Sequence, residues 1–319
     1  MRITNSMLVR NMMTNLNKNM RRMSKFQEQY QSGKMFQLPS DNPIGVSKSL
    51  KLYTDKSKIE QYKTNLRDAM AWMYTTEDSL DQIGEVMKRT SKLTIKAANS
   101  TYSDDDLLAI RAEMEELKNQ VIQAANTTHA GRHVFSGYKT DKPLLNEDGE
   151  YNIDLSSTDI STYNVGVSEN IAVNTVGIKV FGTTKDTDNY KAGSVTEGDG
   201  TPNSADKSYV IQVFDDIIGA LESDPPNTDA LRQNIGAVED ILKNTLQVRA
   251  EIGAKSNRLE MTQKRLDSDA INFTRLLSEN EDADIAEVIM NFKMAESVYL
   301  ASMSAGARII QPSLIDFLR

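Results

Sequence analysis

Apolar residues recur at every seventh position over two long stretches of this chain, one towards each end. Stepping from Leu52 gives Leu52, Ile59, Leu66, Met73, Leu80 and Met87, and the row three residues further on includes Tyr62, Ala69, Ile83 and Ala97. An a/d alternation kept up beyond three or four heptads predicts a helix that buries one narrow seam against a partner helix. No proline falls between Pro43 and Pro143, and Gly84 is the sole glycine from 46 to 130. A continuous helix is therefore expected over about 44–100, about 85 Å long at the standard rise. Ser103-Asp104-Asp105-Asp106 then reads as a helix start, with Ser103 as cap and the aspartates at the positive end of the dipole. Its apolar face is Leu107, Ile110, Met114, Leu117 and Val121.

The second stretch steps through Leu231, Val238, Thr245, Ile252, Leu259, Leu266 and Phe273, with Ile235, Leu242, Ala270 and Leu277 four residues on. A shorter helix around Tyr209, Val213, Ile217 and Leu221 leads into it past Pro225-Pro226. Two such seams cannot stay exposed in water, and antiparallel pairing with the middle of the chain looped out buries both. The extreme ends carry further helical stripes. One holds Val9, Leu16, Met23 and Tyr30 with Met13 and Met20 offset by four; the other holds Ile285, Ile289, Phe292, Tyr299 and Ile309. Both are rich in methionine or small residues, which repack easily against several neighbours.

The middle has a different character. Seven of the sixteen glycines lie in 138–205, among short alternating runs at Tyr151–Leu155, Tyr163–Val165, Ile171–Val173 and Ile178–Phe181, and Asp148-Gly149 is a hairpin turn signal. The segment Lys185–Ser208 reads as a loop. The expected fold is mainly α with a β insert: an elongated antiparallel coiled coil or helical bundle formed by the N- and C-terminal halves, plus a small β-rich central domain. Residues 1–40 and 281–319 are expected as terminal assembly helices that order on assembly, 41–137 and 206–280 as the long-helix bundle, and 138–205 as a β-rich surface insert.

Composition sharpens this reading. An apolar fraction of 39% and 6% aromatics are low for one large spherical core but sufficient for helices that bury only a seam. The net charge of −8 argues against nucleic acid as the main partner. Charge is unevenly spread: residues 1–35 hold seven bases against Glu28, a net +6, whereas 141–206 hold twelve acids against four lysines, a net −8. There is no cysteine, which excludes disulfides, thiolate nucleophiles and cysteine-ligated metals. No stretch approaches 18 apolar residues, and the N-terminus has no secretory pattern, so export would need a dedicated route.

Little in the sequence points to chemistry. His129 and His133 lie four apart, but the Glu of a His-Glu-x-x-His pattern is missing and Gly131 intervenes, so a turn ending a helix is expected. Asp186-Thr-Asp188-Asn189 and Glu197-Gly-Asp199-Gly200 lack the spacing of a calcium loop and read as polar surface. Lys18, Arg21, Arg22 and Lys25 read as the solvated face of a terminal helix. No phosphate-binding loop or nucleophile elbow is present, so no catalytic, cofactor or metal site is expected, nor nucleic acid binding or membrane insertion. The residues singled out are structural. For assembly they are Val9, Leu16, Met20, Met23, Ile289, Phe292, Tyr299 and Leu314. For the seam they are Leu52, Ile59, Leu66, Met73, Leu80, Leu231, Val238, Ile252, Leu259 and Leu266.

Three motifs point to a family. Tyr30-Gln31-Ser32-Gly33-Lys34 followed by Pro39-Ser40-Asp41-Asn42-Pro43 resembles the N-terminal signature of bacterial flagellin-type proteins. Ala125-Asn126 and Gly131-Arg132-His133-Val134-Phe135-Ser136-Gly137, then Thr140-Asp141-Lys142-Pro143, is similar to an element of that family's hook–filament junction branch. Ala301-Ser302-Met303 through Ser313-Leu314-Ile315-Asp316-Phe317-Leu318 resembles the family's closing segment. The likeness covers about 1–143 and 230–319. Asn42 stands where a second Asp is usual and Leu144 where Phe is usual. Physically, Gly33 can break the terminal helix from the next, Pro39 and Pro43 stiffen the linker, and Ser40 or Asp41 can cap the long helix.

The resemblance implies a non-enzymatic, extracellular component of the flagellum, exported without a cleaved signal peptide. It implies a ring of copies between hook-associated protein 1 and flagellin, and an export chaperone that shields the C-terminal helix. A flagellin filament subunit is the alternative within the family; a coiled-coil scaffold or surface-binding protein is the alternative outside it.

Overall fold

The computed structural model describes residues 5–99, 104–156, 158–182, 206–223 and 227–309. Within these the chain runs α1 (Asn5–Ser32), α2 (Pro43–Ala97), α3 (Asp104–Ala125), β1 (Thr128–His129), β2 (Arg132–His133), β3 (Thr162–Gly166), β4 (Glu169–Ala172), α4 (Gly177–Phe181), α5 (Tyr209–Glu222), α6 (Thr228–Glu281) and α7 (Ile285–Ile309). The fold class is the one read from the sequence, mainly α with a small β portion. Two compact units are distinguished, Met1–Ile59 with Ser268–Arg319 and Glu60–Asp267, and α2 and α6 contribute segments to both.

In the larger unit the helices alternate in direction. Ser79 Oγ donates to the Ala124 carbonyl at 2.7 Å and Arg89 pairs with Glu113 at 2.6 Å, so α3 runs antiparallel to α2. Lys118–Asp215 at 2.7 Å and Arg111–Glu222 at 2.6 Å set α5 antiparallel to α3. Lys63–Asp267 at 2.7 Å, with Arg249 against Glu77 and Asp81, sets α6 antiparallel to α2. The seam between them is dry. Leu66, Met73, Leu80 and Met87 of α2 and Leu231, Val238, Ile252, Leu259 and Leu266 of α6 are buried, as are Ala69, Ile83 and Ala97 on the second row of α2. Threonines fill the gaps in the pattern: Thr76, Thr90 and Thr94 are buried, and each hydroxyl donates to the carbonyl four residues back at 2.9 Å. Their polar atoms are thereby satisfied within the helix, and only methyl groups meet the seam.

Three local expectations are corrected. On α6 the second buried row is Ile241, Val248 and Thr262, three residues on from the heptad step; Leu242 and Ile235 are only half-buried. The stripe is broader than a two-helix seam because α4 also packs there, where Asn244 Nδ2 donates to the Lys179 carbonyl at 2.9 Å. Ile178–Phe181 is helical (α4), not a strand: Gly177, Ile178, Val180 and Phe181 are all buried, and a short run buried on every side carries no usable period. The cap of α2 is Asn42, whose Oδ1 accepts the Gly45 N–H at 3.0 Å, rather than Ser40 or Asp41. Pro43 then takes the first helical position, where its missing N–H is no loss. The Ser103 cap, Pro225-Pro226 and most of Lys185–Ser208, with both acidic loop fragments, lie outside the described residues.

The insert carries less strand than expected. β3 and β4 form an antiparallel hairpin, but Tyr151–Leu155 alternates buried and exposed with only an isolated bridge, Leu145 to Tyr151. The core of the insert is continuous with the helices. Phe135 and Phe181 meet edge-on at 5.6 Å, Tyr151 OH donates to the Gly182 carbonyl at 2.5 Å, and Ile211 and Phe214 of α5 are buried. At Gly149 (φ +82°) a Cβ would come within 2.3 Å of Ile211, so only glycine permits this turn to lie on α5. The turn at Gly149 is clipped to the residues that follow the insert, Tyr151 N–H to the Asp206 carbonyl at 2.9 Å and Ser208 N–H to the Gly149 carbonyl at 3.0 Å.

The histidine segment forms a two-residue hairpin turn between β1 and β2, with Ala130 (φ 49°) and Gly131 (φ 78°) both left-handed. His129 Nδ1 lies 2.9 Å from Thr75 Oγ1, and His133 Nδ1 donates to the Asn126 carbonyl at 2.9 Å. The two rings thus serve different partners. Among the described residues no cluster of three or more metal-ligating side chains occurs.

Leu66 is wholly buried and Lys51 is exposed. Leu66→Ala should cost about 2–5 kcal/mol through lost burial and the cavity left behind, and Lys51→Ala no more than about 0.5 kcal/mol. Urea titrations followed by circular dichroism check this; equal midpoints for the two variants would refute the helix register.

Candidate assembly surface

The smaller unit begins where two helices break at the same level. Gly33 (φ +70°) ends α1, and its N–H still reaches the Gln29 carbonyl at 2.9 Å. The strand-like residues beyond it pair with the break between α6 and α7: Met35 N–H donates to the Glu281 carbonyl at 2.7 Å and Ala283 N–H to the Gly33 carbonyl at 2.9 Å. Asp284 restarts α7 by accepting the Ala286 N–H at 2.9 Å. Side chains lock this clip. Lys34 Nζ bonds Glu281 Oε2 at 2.7 Å, and Tyr53 OH donates to the same oxygen at 2.9 Å. Beside it Asn280 Nδ2 donates to the Gly45 carbonyl and to Ser49 Oγ. A Cβ on Gly45 would approach the buried Phe36 ring to 2.7 Å, so α2 can start against that ring only with glycine there.

The electrostatics of the clip follow from its burial. Desolvation pushes the Glu281 carboxyl up, but hydrogen bonds from Lys34, Ser49 and Tyr53 outweigh it and hold the group below the usual carboxylate range. The bonds to Glu281 and Tyr53 raise the Lys34 ammonium above the ordinary lysine range.

Beyond the clip, α1 and α7 pair antiparallel. Asn19 Nδ2 donates to Ser302 Oγ at 2.9 Å, and Met12 lies against Gly306, where a Cβ would meet its Cε at 1.9 Å. Val9, Leu16 and Met23 are half-buried on this seam, together with Met12, Asn19 and Phe26, which lie off the seven-residue step. From α7 the seam takes Phe292 and Tyr299, half-buried, and Val288, Ala295 and Gly306, buried. The true spacing on α1 is three-then-four, and Phe26 was legible on that basis; Asn19 and Gly306 carry no hydrophobic signal. Met13, Met20 and Tyr30 point outward instead, as do Ile285 and Ile289. Leu314 lies outside the described residues.

Several large apolar side chains of this pair face outward among polar ones. Met7, Leu8, Met13 and Met20 on α1 and Met290, Met294, Leu300 and Met303 on α7 are each 45–59% exposed. Around the linker Met35, Leu38 and Ile44 are also exposed, Ile44 at 83%. Lys18, Arg21, Arg22 and Lys25 are exposed on α1. Exposed apolar patches are a common feature of interaction surfaces. No described helix is long and apolar enough to cross a membrane.

Comparison with known proteins agrees with this layout. Residues 3–140 match the family model of the bacterial flagellin N-terminal helical region, and residues 235–318 that of the C-terminal helical region. Flagellar hook-associated protein 3 of Escherichia coli (strain K12) is 27% identical over 232 residues, which are 72% of this chain and 69% of that protein. Phase 1 flagellin of Salmonella naestved is 26% identical over 167 residues, 52% of this chain but only 31% of the flagellin. The solved structure of flagellar hook associated protein-3 from Legionella pneumophila shares the fold, with a TM-score of 0.58 at 19% identity over 72% of this chain and 97% of that one.

The clip has a defined pH window. Glu281, depressed in the folded chain, stabilises it above the ordinary carboxylate value of about 4.3, and this is lost as pH falls through the folded value. Lys34, raised, stabilises it below about 10.4, and this is lost as pH climbs through its higher folded value. Glu281→Gln should therefore lower stability at pH 7 by about 1–2 kcal/mol, a modest figure because water screens the exposed Lys34. The gap to wild type should close in acid. Hydrogen exchange of the Met35 and Ala283 amides, measured at neutral and acid pH, tests the clip directly; identical acid sensitivity in both proteins would count against it.

Proposed function

Because the chain belongs to the bacterial flagellin family, we propose that it is a structural subunit of the flagellum, joining the hook to the flagellin filament. Among its relatives it resembles hook-associated protein 3 more fully than flagellin. The likeness spans 69% of the former and 31% of the latter, while sequence identity is nearly equal. Coverage therefore decides between the two readings, and it favours the junction protein over the filament subunit.

The observation that carries the mechanism is the outward methionine-rich face of α1 and α7. A helix pair that already has its own seam needs no second apolar surface unless other chains cover it. In this reading the subunit works by packing, with no bond made or broken, and several copies close a ring whose faces meet hook-associated protein 1 on one side and flagellin on the other. The terminal helices gain most of their burial only among neighbours, so the free subunit stays soluble and its ends settle on assembly. Methionine side chains suit a surface that meets unlike partners above and below, because they repack at low cost. Export through the flagellar secretion channel without a cleaved signal peptide, with a chaperone covering the C-terminal helix until delivery, belongs to the same proposal. In the smaller unit the clip anchors the α1–α7 pair that carries these faces.

Two experiments test this. Deleting the gene should leave hooks without filaments and flagellin shed to the medium; normal filaments in the deletion strain would refute the junction role. Complementation with Met20→Glu plus Met294→Glu should leave the thermal midpoint of the purified chain nearly unchanged, since exposed substitutions stay within about 0.5 kcal/mol. The same variant should fail to restore filaments, and full motility would show that the outward face is not the assembly surface.

A further inference from the structure

A cleft of about 250 Å³ opens in the larger unit between the insert and α6. Its apolar wall is built from Val176, Ile178, Val248 and Ile252, all buried. Three charged groups face it, Lys179 on α4 and Glu251 and Lys255 on α6. Lys179 and Glu251 satisfy each other at 2.5 Å. Lys255 is left over: half-buried, one helical turn beyond Glu251, and without a hydrogen bond or ion pair among the described residues. Burial lowers its pKa, repulsion from Lys179 adds to the effect, and Glu251 only partly offsets it. The cleft thus sets an apolar wall opposite polar groups that include Asn174 and Thr175, with a net positive charge and one ammonium that has no direct partner among the described residues.

Packing alone does not account for this residue. A methionine or leucine would cover the same wall without stranding a half-buried charge, which is costly unless an anion meets it. The geometry points to a binding site for a small aliphatic carboxylate, its head group on Lys255 and its hydrocarbon tail along Val176, Ile178, Val248 and Ile252. The volume admits roughly eight to ten non-hydrogen atoms at about 25–30 Å³ each, the size of hexanoate. A carboxylate on a short stem is also what a glutamate side chain of another polypeptide offers. The slot exceeds that stem, and the unoccupied wall favours the free acid.

The test uses the full chain with methyl-labelled isoleucine and valine, titrated with sodium hexanoate, 1-hexanol and capped glutamate amide. Hexanoate should shift the Ile178, Val248 and Ile252 methyl signals with a Kd on the order of 1 mM. Hexanol should bind at least tenfold more weakly, and capped glutamate more weakly than hexanoate. Lys255→Met should lose at least tenfold in affinity while melting as the wild type does, and Lys255→Arg should retain binding. Wild-type affinity should fall with rising pH before the ordinary lysine range near 10.4 is reached, whereas the arginine variant should show no such fall. Equal binding of hexanol, undiminished binding by Lys255→Met, or no methyl shift at tens of millimolar hexanoate would each overturn the site. Tighter binding of capped glutamate would replace the free acid by a protein side chain.

Discussion

Everything in this structure depends on the burial of two apolar seams that lie far apart in the chain. A helix in a protein draws most of its stability from packing its apolar face rather than from its own hydrogen bonds, so α2 and α6 lean on each other. Laid antiparallel, the two exclude water from Leu66, Met73 and Leu80 on one side and from Val238, Ile252 and Leu259 on the other. Flanking pairs such as Lys63–Asp267 and Arg249–Glu77 fix which turn faces which. Exposed pairs of this kind add little energy, but they discriminate against a slipped register.

The same pairing organises what hangs from it. With α2 and α6 together, α3 and α5 complete a bundle in the larger unit, and the insert closes on α5 and α6 through Ile211, Phe214 and Asn244. The insert is for that reason not a detachable ornament: its large side chains Tyr151 and Phe181 are buried in a core it shares with helices. In the smaller unit the pairing brings the break after Gly33 level with the break after Glu281. One buried carboxylate can then receive both Lys34 and Tyr53, and α1 is set against α7.

The proposed function rests on what this arrangement leaves uncovered. The α1–α7 seam consumes Leu16, Met23, Val288 and Ala295 and leaves Met20, Met290 and Met294 facing outward. A surface of adaptable apolar side chains is well matched to a subunit that must meet a hook protein below and a filament protein above.

Much of the fold was legible in the residues themselves, because a heptad step is a local signal that survives any context. Leu52 to Met87 and Leu231 to Leu266 announce their buried stripe without help, and the absence of proline lets both helices run uninterrupted. The motifs around Gly33 and Phe135 carried the family likeness for a similar reason: each needs a particular backbone or a particular ring at one place. What the sequence could not decide was anything that depends on a second element. Whether Ile178–Phe181 is strand or helix, whether the second row of α6 falls at Ile241 or Leu242, and whether Met12 or Met13 faces α7 all turn on what packs alongside. Glu281 looks like any exposed helix-end acid until the fold brings Lys34 and Tyr53 to it, from far along the chain. Periodicity records the direction of a side chain relative to its own helix, and only tertiary packing determines what that direction meets.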